Sequence, residues 1–310
     1  MREIKRKARA KINLGLDVIG RFPNGYHDLR MVMQTVDLCD ELVLRTPDVE
    51  GEGRIRLFLQ QNEEGSFAGQ DLIPEDESNL ACRAARMLMD EFGIHRDLEI
   101  LLKKKIPAAA GLAGGSADAA AVFTGVNELF GLGLSEQELT ERGVKIGADV
   151  PYCIMGGTAL AEGIGERLRR LPDVSRAYVL LVKPPICVST KYVYSSLDSL
   201  DLREANSDGR GGLPSHPDID GQVQAVRDGD FYRMANLMGN VLESVTIPAF
   251  PVVGEIKERM LFCGAVNAMM SGSGPTVFGL FDDRKKARQA YADFSAEESL
   301  NEVFLTTFWP

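Results

Sequence analysis

The chain is poor in the residues that build metal centres and covalent cross-links. Its 310 residues include three histidines and five cysteines. His27, His95 and His216 are far apart, which argues against a histidine-based metal centre. Cys39, Cys82, Cys153, Cys187 and Cys263 are odd in number, scattered, and never spaced as C-x-x-C, so neither a disulfide framework nor a zinc pattern is present. They read as buried or idle thiols in a reducing compartment. No run of about 18 apolar residues exists to span a bilayer. The basic start Met-Arg-Glu-Ile-Lys-Arg-Lys has no apolar stretch behind it, unlike a signal peptide. Positive charge is also in deficit. A formal net charge of −10 argues against non-specific attraction to nucleic acid. These absences lead to the expectation of a soluble cytoplasmic protein with neither nucleic acid nor membrane as partner. An anionic ligand would have to be met by locally placed lysines, arginines or backbone N–H groups.

What is present suffices for a packed core: 45% of residues are apolar and 26% charged. Residues 8–18 alternate, with Ile12, Leu14 and Leu16 on one face and Lys11, Asn13 and Gly15 on the other. Further strands are expected at Leu29–Val36 and Glu41–Arg45, after a turn at Pro23-Asn24-Gly25. A helical pattern begins after Asp76-Glu77-Ser78 and stops at Gly93, and Leu98–Leu102 reads as a short strand. Ser135 to Glu138 reads as a capping box, and Gly156–Ala161 as a strand. Residues 203–221, polar and rich in glycine and proline, read as an exposed, mobile insertion. Helices are expected at about 222–243, 252–262 and 283–297, and strands at 177–182, 276–281 and 303–308. Strands and helices mix without a regular βαβ repeat, which indicates an α+β protein with two lobes.

The stretch I-P-A-A-A-G-L-A-G-G-S-A-D-A-A-A, residues 106–121, lies between the strand after Leu98 and a helix that leaves it after Gly115-Ser116. Small residues let a ligand approach the backbone, and a helix N-terminus adds unpaired N–H groups and about half a positive charge. Ser116 suits an N-cap or first turn, where its hydroxyl could meet a phosphate oxygen or a cation. Asp118 also suits the positive end of the helix dipole. Neither G-x-x-x-x-G-K-[ST] nor G-x-G-x-x-G occurs, so composition alone leaves a tight-packing turn as an alternative to an anion cradle.

Three segments in order resolve this by resemblance: A-R-A-K-I-N-L-G-L near the start, P-A-A-A-G-L-A-G-G-S-A-D-A-A in the middle, and M-S-G-S-G-P-T-V-F-G-L-F near the end. Together they resemble the motifs of the superfamily of galactokinase, homoserine kinase, mevalonate kinase and phosphomevalonate kinase, the GHMP kinases. The resemblance implies a lobe like domain 2 of ribosomal protein S5 over residues 1–170 and a ferredoxin-like lobe over 171–310. It implies an ATP-dependent small-molecule kinase using ATP as Mg-ATP. The blocks A-K-I-N-L-G-L-D-V-I-G-R-F-P-N-G-Y-H-D and G-A-D-V-P-Y-C-I-M-G-G-T-A-L-A-E-G-I-G-E resemble one branch of that superfamily, which serves non-mevalonate isoprenoid (terpenoid) precursor biosynthesis. Its members phosphorylate the 2-hydroxyl of cytidine-diphosphate-linked methylerythritol.

By matching position, Asp149 would be the general base and Lys11 its catalytic partner, offsetting negative charge as the alcohol meets the γ-phosphate. ATP would be held by Pro107, Ala108, Ala109, Ala110, Gly111, Leu112, Ala113, Gly114, Gly115, Ser116 and Ala117, with Asn79 and Leu80 on the adenine side. Substrate would meet Asn13, Tyr26, His27, Thr190 and Tyr194, as well as Asp149. Ser271, Gly272, Ser273 and Gly274 would form a third loop bracing the phosphate loop. Plain readings stand beside these: turn capping for His27, core packing for Tyr194, and helix capping for Ser78-Asn79. Ala113 stands where many relatives have glycine, and Ser116-Ala117-Asp118 lacks a second serine hydroxyl, so no protein ligand of Mg²⁺ is assigned. The remaining alternatives are another small-alcohol kinase, such as homoserine or mevalonate kinase, and a non-catalytic nucleotide-binding protein.

Overall fold

The structure is a computed structural model that describes residues 1–60, 73–174, 177–205 and 216–310, with 201–205 as backbone only. It divides into two compact units. The first comprises Met1–Lys11, Asp37–Ala108 and Ala113–Gly156; the second comprises Ile12–Val36, Ala109–Leu112 and Gly157–Pro310. The units interleave along the chain. The reason is two long strands, β1 (Arg2–Arg21) and β2 (His27–Thr46), each of which gives one part to either unit. β2 joins the two shorter strands expected at Leu29–Val36 and Glu41–Arg45. The polar residues between them do not break it, because Asp37 meets Arg9 at 3.2 Å and Asp40 turns inward to Lys104.

The first unit continues with β3 (Ile55–Gln60), α1 (Leu80–Glu91), β4 (Leu98–Lys103), α2 (Gly114–Phe130), α3 (Glu136–Gly143) and α4 (Val150–Met155). β4 pairs antiparallel with β2, Leu42 opposite Leu102, and β3 pairs parallel with β4. Leu44, Ile100 and Leu102 of this sheet share a core with Leu88 of α1 and Phe123 and Val126 of α2. Burying a leucine or phenylalanine of this kind stabilises by roughly 1.5–3 kcal/mol. α1 starts where expected, and Ser135 with Glu138 forms the reciprocal capping box that opens α3. β3 and α4 have no counterpart among the elements expected from the sequence.

The second unit holds β5 (Thr158–Gly163), β6 (Arg167–Arg170), β7 (Tyr178–Lys183), α5 (Thr190–Ala205), α6 (Ile219–Arg227), α7 (Phe231–Asn236) and β8 (Gly239–Asn240). It ends with α8 (Glu243–Ala249), α9 (Pro251–Phe262), β9 (Asn267–Met270), β10 (Val277–Phe281), α10 (Arg284–Ser295) and β11 (Glu302–Thr307). A four-stranded sheet runs β11-β7-β10-β9, antiparallel throughout. Counted along the chain this is the order 4-1-3-2, the ferredoxin-like arrangement.

Two expectations in this unit change. The single helix expected at 222–243 is broken, because Gly229 adopts φ 68° and Asp230 caps a new helix by accepting from the Arg233 N–H. Of the insertion read at 203–221, residues 206–215 lie outside the described residues. Its flanks are built into the fold: α5 runs to Ala205, His216 Nδ1 lies 2.7 Å from Asp17 Oδ1, and Ile219 is buried in α6. Among the described residues no helix is long and apolar enough to cross a membrane.

Close packing of α2 on β2 depends on Gly125. A Cβ there would stand 2.0 Å from Leu44 Cδ1, and Leu44 is fully buried. Gly125→Val is therefore expected to lower the unfolding free energy by about 1–3 kcal/mol, read from urea denaturation.

Candidate active site

In the first unit the segment that leads into the glycine-alanine loop is anchored by buried charge. Lys104 follows β4 and its ammonium donates to Asp40 of β2 and to Asp118 of α2, the latter at 2.7 Å; all three side chains are buried. The free oxygen of Asp40 accepts from the backbone N–H groups of Lys105 at 2.5 Å and Ile106 at 2.8 Å. One carboxylate thus fixes the turn that leads into the loop. A Cβ on Gly114 would lie 3.4 Å from Lys104 Nζ, so the ammonium sits beneath the start of α2. Burial opposes the Lys104 charge, but the two aspartates outweigh it and raise its pKa. Asp118 is driven well above its ordinary 3.8 by burial first, with Lys104 pulling it down and Asp40 pushing it up. Asp118 therefore does not serve the positive end of the helix, as its place in the sequence suggests; as the fifth residue of α2 it faces inward and holds Lys104.

The loop's backbone alternates in hand. Ala109, Gly111 and Ala113 have φ of 49°, 74° and 57°, whereas Ala110 and Leu112 do not share this conformation. Anion-binding nests of successive backbone N–H groups are built on left-handed residues of this kind. α2 opens directly from it, with Ala113 in the cap position and no side-chain cap. Ser116 is thus a first-turn residue and not the cap, with its hydroxyl 3.8 Å from where a Cβ on Gly147 would stand. Leu80 of α1 reaches Gly115 on the same terms, at 3.6 Å. The Asn79 side chain is used by its own helix start: it accepts from the Ala81 N–H at 2.9 Å and donates to the Pro74 carbonyl at 2.8 Å.

Asp149 immediately precedes α4 and makes no cap bond to it. Lys11 is buried on β1. Asp149, Lys11 and Asp118 all act on the Cys153 thiol, which burial and Asp149 push far above its ordinary 9.0 while Lys11 opposes them. The expected base and lysine thus both lie within electrostatic reach of one buried thiol. A cavity of about 680 Å³, lined by Ile55, Leu57, Cys82, Arg83 and Met87 among others, lies elsewhere in this unit. Neither Lys11, Asp149 nor any loop residue lines it.

In the second unit, Ser271 Oγ donates to the Gly111 carbonyl at 3.0 Å, and a Cβ on Gly111 would stand 2.2 Å from the Ser271 carbonyl oxygen. The third loop is held by Asn240, whose amide donates to the Met270 and Gly272 carbonyls at 2.9 and 2.8 Å. Thr190 Oγ1 lies 2.9 Å from Ser273 Oγ. Asn13, fully buried on β1, donates to Met31 Sδ at 3.3 Å. The β1–β2 turn closes with Phe22 N–H donating to Tyr26 O and Gly25 N–H to Phe22 O, and it leaves Tyr26 59% exposed. His27 stacks on Tyr194 with ring centroids 4.7 Å apart and meets Asp198 at 2.8 Å. Asp40, Asp198 and Asn240 carry no sequence signal that marks them for these roles. Lys104 is visible there only as one of three consecutive lysines.

Comparison with known proteins identifies the family. Residues 79–157 match the GHMP kinases N terminal domain, and residues 222–299 match the GHMP kinases C terminal domain. The chain belongs to the GHMP kinase family, whose members use ATP. Its full-length relatives include the 4-diphosphocytidyl-2-C-methyl-D-erythritol kinase of Lachnospira eligens, 48% identical over 100% of both chains. That of Clostridium acetobutylicum is 43% identical over 97% of this chain and 98% of its own. A crystal structure of 4-(cytidine 5'-diphospho)-2C-methyl-D-erythritol kinase superposes with TM-score 0.76 at 30% identity, covering 99% of this chain and 100% of that one. Mevalonate kinase of L. major reaches 0.75 at 16% identity, over 99% and 96%, a likeness of fold alone.

Two outcomes test the buried triad. Lys104→Met leaves two carboxyls facing each other and should cost about 3–5 kcal/mol of unfolding free energy in urea titrations. The second concerns pH. A carboxyl whose pKa is higher folded than unfolded destabilises the fold increasingly as pH rises from its ordinary range through the raised value. Asp118→Asn should therefore match wild type near pH 4 and gain on it as pH increases. A variant that loses ground instead would mean that Asp118 is ionised beside Lys104.

Proposed function

We propose that the chain phosphorylates the 2-hydroxyl of 4-(cytidine 5'-diphospho)-2-C-methyl-D-erythritol at the expense of ATP, in non-mevalonate isoprenoid precursor synthesis. The observation that carries this reading is the match, 48% identical and end to end, to a kinase of that name, in a chain whose Lys11 and Asp149 both act on the Cys153 thiol.

Asp149 takes the proton of the acceptor hydroxyl. Its carboxylate is free of the capping duty that an aspartate at a helix start usually performs. Lys11 balances the charge that builds as the alkoxide oxygen approaches phosphorus. Phosphoryl transfer asks little covalent chemistry of the protein, so positioning and electrostatics carry the rate. The alternating backbone at 109–113 and the first turn of α2 bind the polyphosphate through N–H groups, and Leu80 packs at the adenine side. Asn79 contributes there by backbone, since its side chain is engaged in the cap.

Mg²⁺ accompanies the nucleotide. Among the described residues no three His, Cys, Asp or Glu side chains cluster as metal ligands, and Asp118, the carboxyl of the first helical turns, is bound to Lys104. The ion fits as one held by phosphate oxygens and water with the Ser116 hydroxyl beside it. Bound there, it would neutralise charge on the transferring phosphoryl group. Asn13, Tyr26, His27, Thr190 and Tyr194 hold the cytidine-diphosphate substrate. In functional terms residues 1–170 carry nucleotide binding and catalysis, and 171–310 complete the substrate wall.

A coupled assay with the cytidine-diphosphate substrate tests the reading. Asp149→Asn and Lys11→Ala should each lower kcat by about 10²–10⁴, with ATP binding retained. Turnover of mevalonate or homoserine without turnover of the cytidine compound would overturn the substrate. Unchanged kcat in Asp149→Asn would overturn the base.

A further inference from the structure

We infer that Asp198 sets the tautomer of His27 and thereby lets the substrate site select a cytosine over a uracil base. This rests on the reading above that His27 faces the base. Thr190, Tyr194 and Asp198 recur every four residues along α5, so they share one helical face. Each makes a different contact with a segment named above. Thr190 meets Ser273 of the third loop at 2.9 Å, Tyr194 covers the His27 ring, and Asp198 takes the ring's edge.

The edge contact decides the chemistry. Asp198 Oδ1 lies 2.8 Å from His27 Nε2, and its other oxygen lies 3.2 Å from Arg21 Nη1. An ionised carboxylate beside a guanidinium only accepts, so the hydrogen of the neutral imidazole sits on Nε2. Nδ1 is then left as an acceptor. Cytosine carries a donor amine at C4, whereas uracil carries an acceptor carbonyl there. An acceptor on the protein complements the first and opposes the second. Asp198 also joins Arg21, the last residue of β1, to His27, the first of β2, and so closes the turn that presents Tyr26. Asp198 is a positioning residue: it acts on the base through His27.

The chain has only three histidines, so the ¹⁵N imidazole signals of labelled wild-type protein can be assigned by loss of one in His27→Ala. His27 should appear as the Nε2–H tautomer; an Nδ1–H form would overturn the inference without any variant at Asp198. In steady-state assays, Asp198→Ala should raise KM for the cytidine-diphosphate substrate about tenfold, the scale of one polar contact, with kcat changed less than about twofold. The preference in kcat/KM over the uridine-diphosphate analogue should fall about tenfold or more, because a site built to pair a polar group rejects the mismatched analogue strongly. KM for ATP and the urea midpoint should hold. If Asp198→Ala keeps the base preference while His27→Ala abolishes it, the inference fails and base recognition by His27 stands. If His27→Ala leaves both the substrate KM and the preference intact, base recognition by His27 itself fails.

Discussion

The buried contact of Lys104 with Asp40 and Asp118 is the constraint on which the first unit depends where β4 ends. Three elements distant in sequence, β2, the end of β4 and α2, are tied by one ammonium. Asp40 adds two backbone N–H bonds at Lys105 and Ile106. A loop of alanine and glycine has almost no side chain with which to hold its own shape. Its geometry has to be imposed from the flanks, and buried charge does this with direction, which apolar packing alone does not. Such a triad is not a cheap source of stability, since desolvation takes back most of the attraction. What it supplies is a single arrangement of the turn.

Much of the fold and part of the site are legible in the amino-acid sequence. Local signals succeed where the cause is local: Asn79 and the capping box at Ser135 open helices at the expected places, and alternation marks β1. Signals fail where the cause is distant. Nothing near Asp40 announces a lysine 64 residues away, and Asp198 meets His27 across 171 residues. Asp118 misleads because its position in the chain suits the helix dipole, whereas its position around the helix points it inward. The break at Gly229 is hidden because apolar periodicity continues across it, while the backbone does not.

β1 departs from simple amphipathic patterning. Lys11 and Asn13 lie two residues apart, hence on one side of the strand, yet both are buried like the leucines opposite. A strand of simple amphipathic design would leave that side to water. Burying an amine and an amide there conflicts with the local pattern, and such conflicts collect at functional positions.

The three left-handed positions of the glycine-alanine loop show which part of a motif is negotiable. Ala109, Gly111 and Ala113 share a conformation that costs a residue with a Cβ roughly 1–2 kcal/mol. If φ alone ruled, all three would be glycine. Only Gly111 also has a backbone in the way: the Ser271 carbonyl oxygen would stand 2.2 Å from its Cβ, and the Gly274 carbonyl oxygen 3.3 Å. Conformational strain of a kilocalorie or two can be borne by a loop whose ends are pinned, whereas overlap with a fixed carbonyl cannot. Alanine at 113 is therefore compatible with this course of the backbone. The glycine that the loop cannot give up is set by its contact with the third loop.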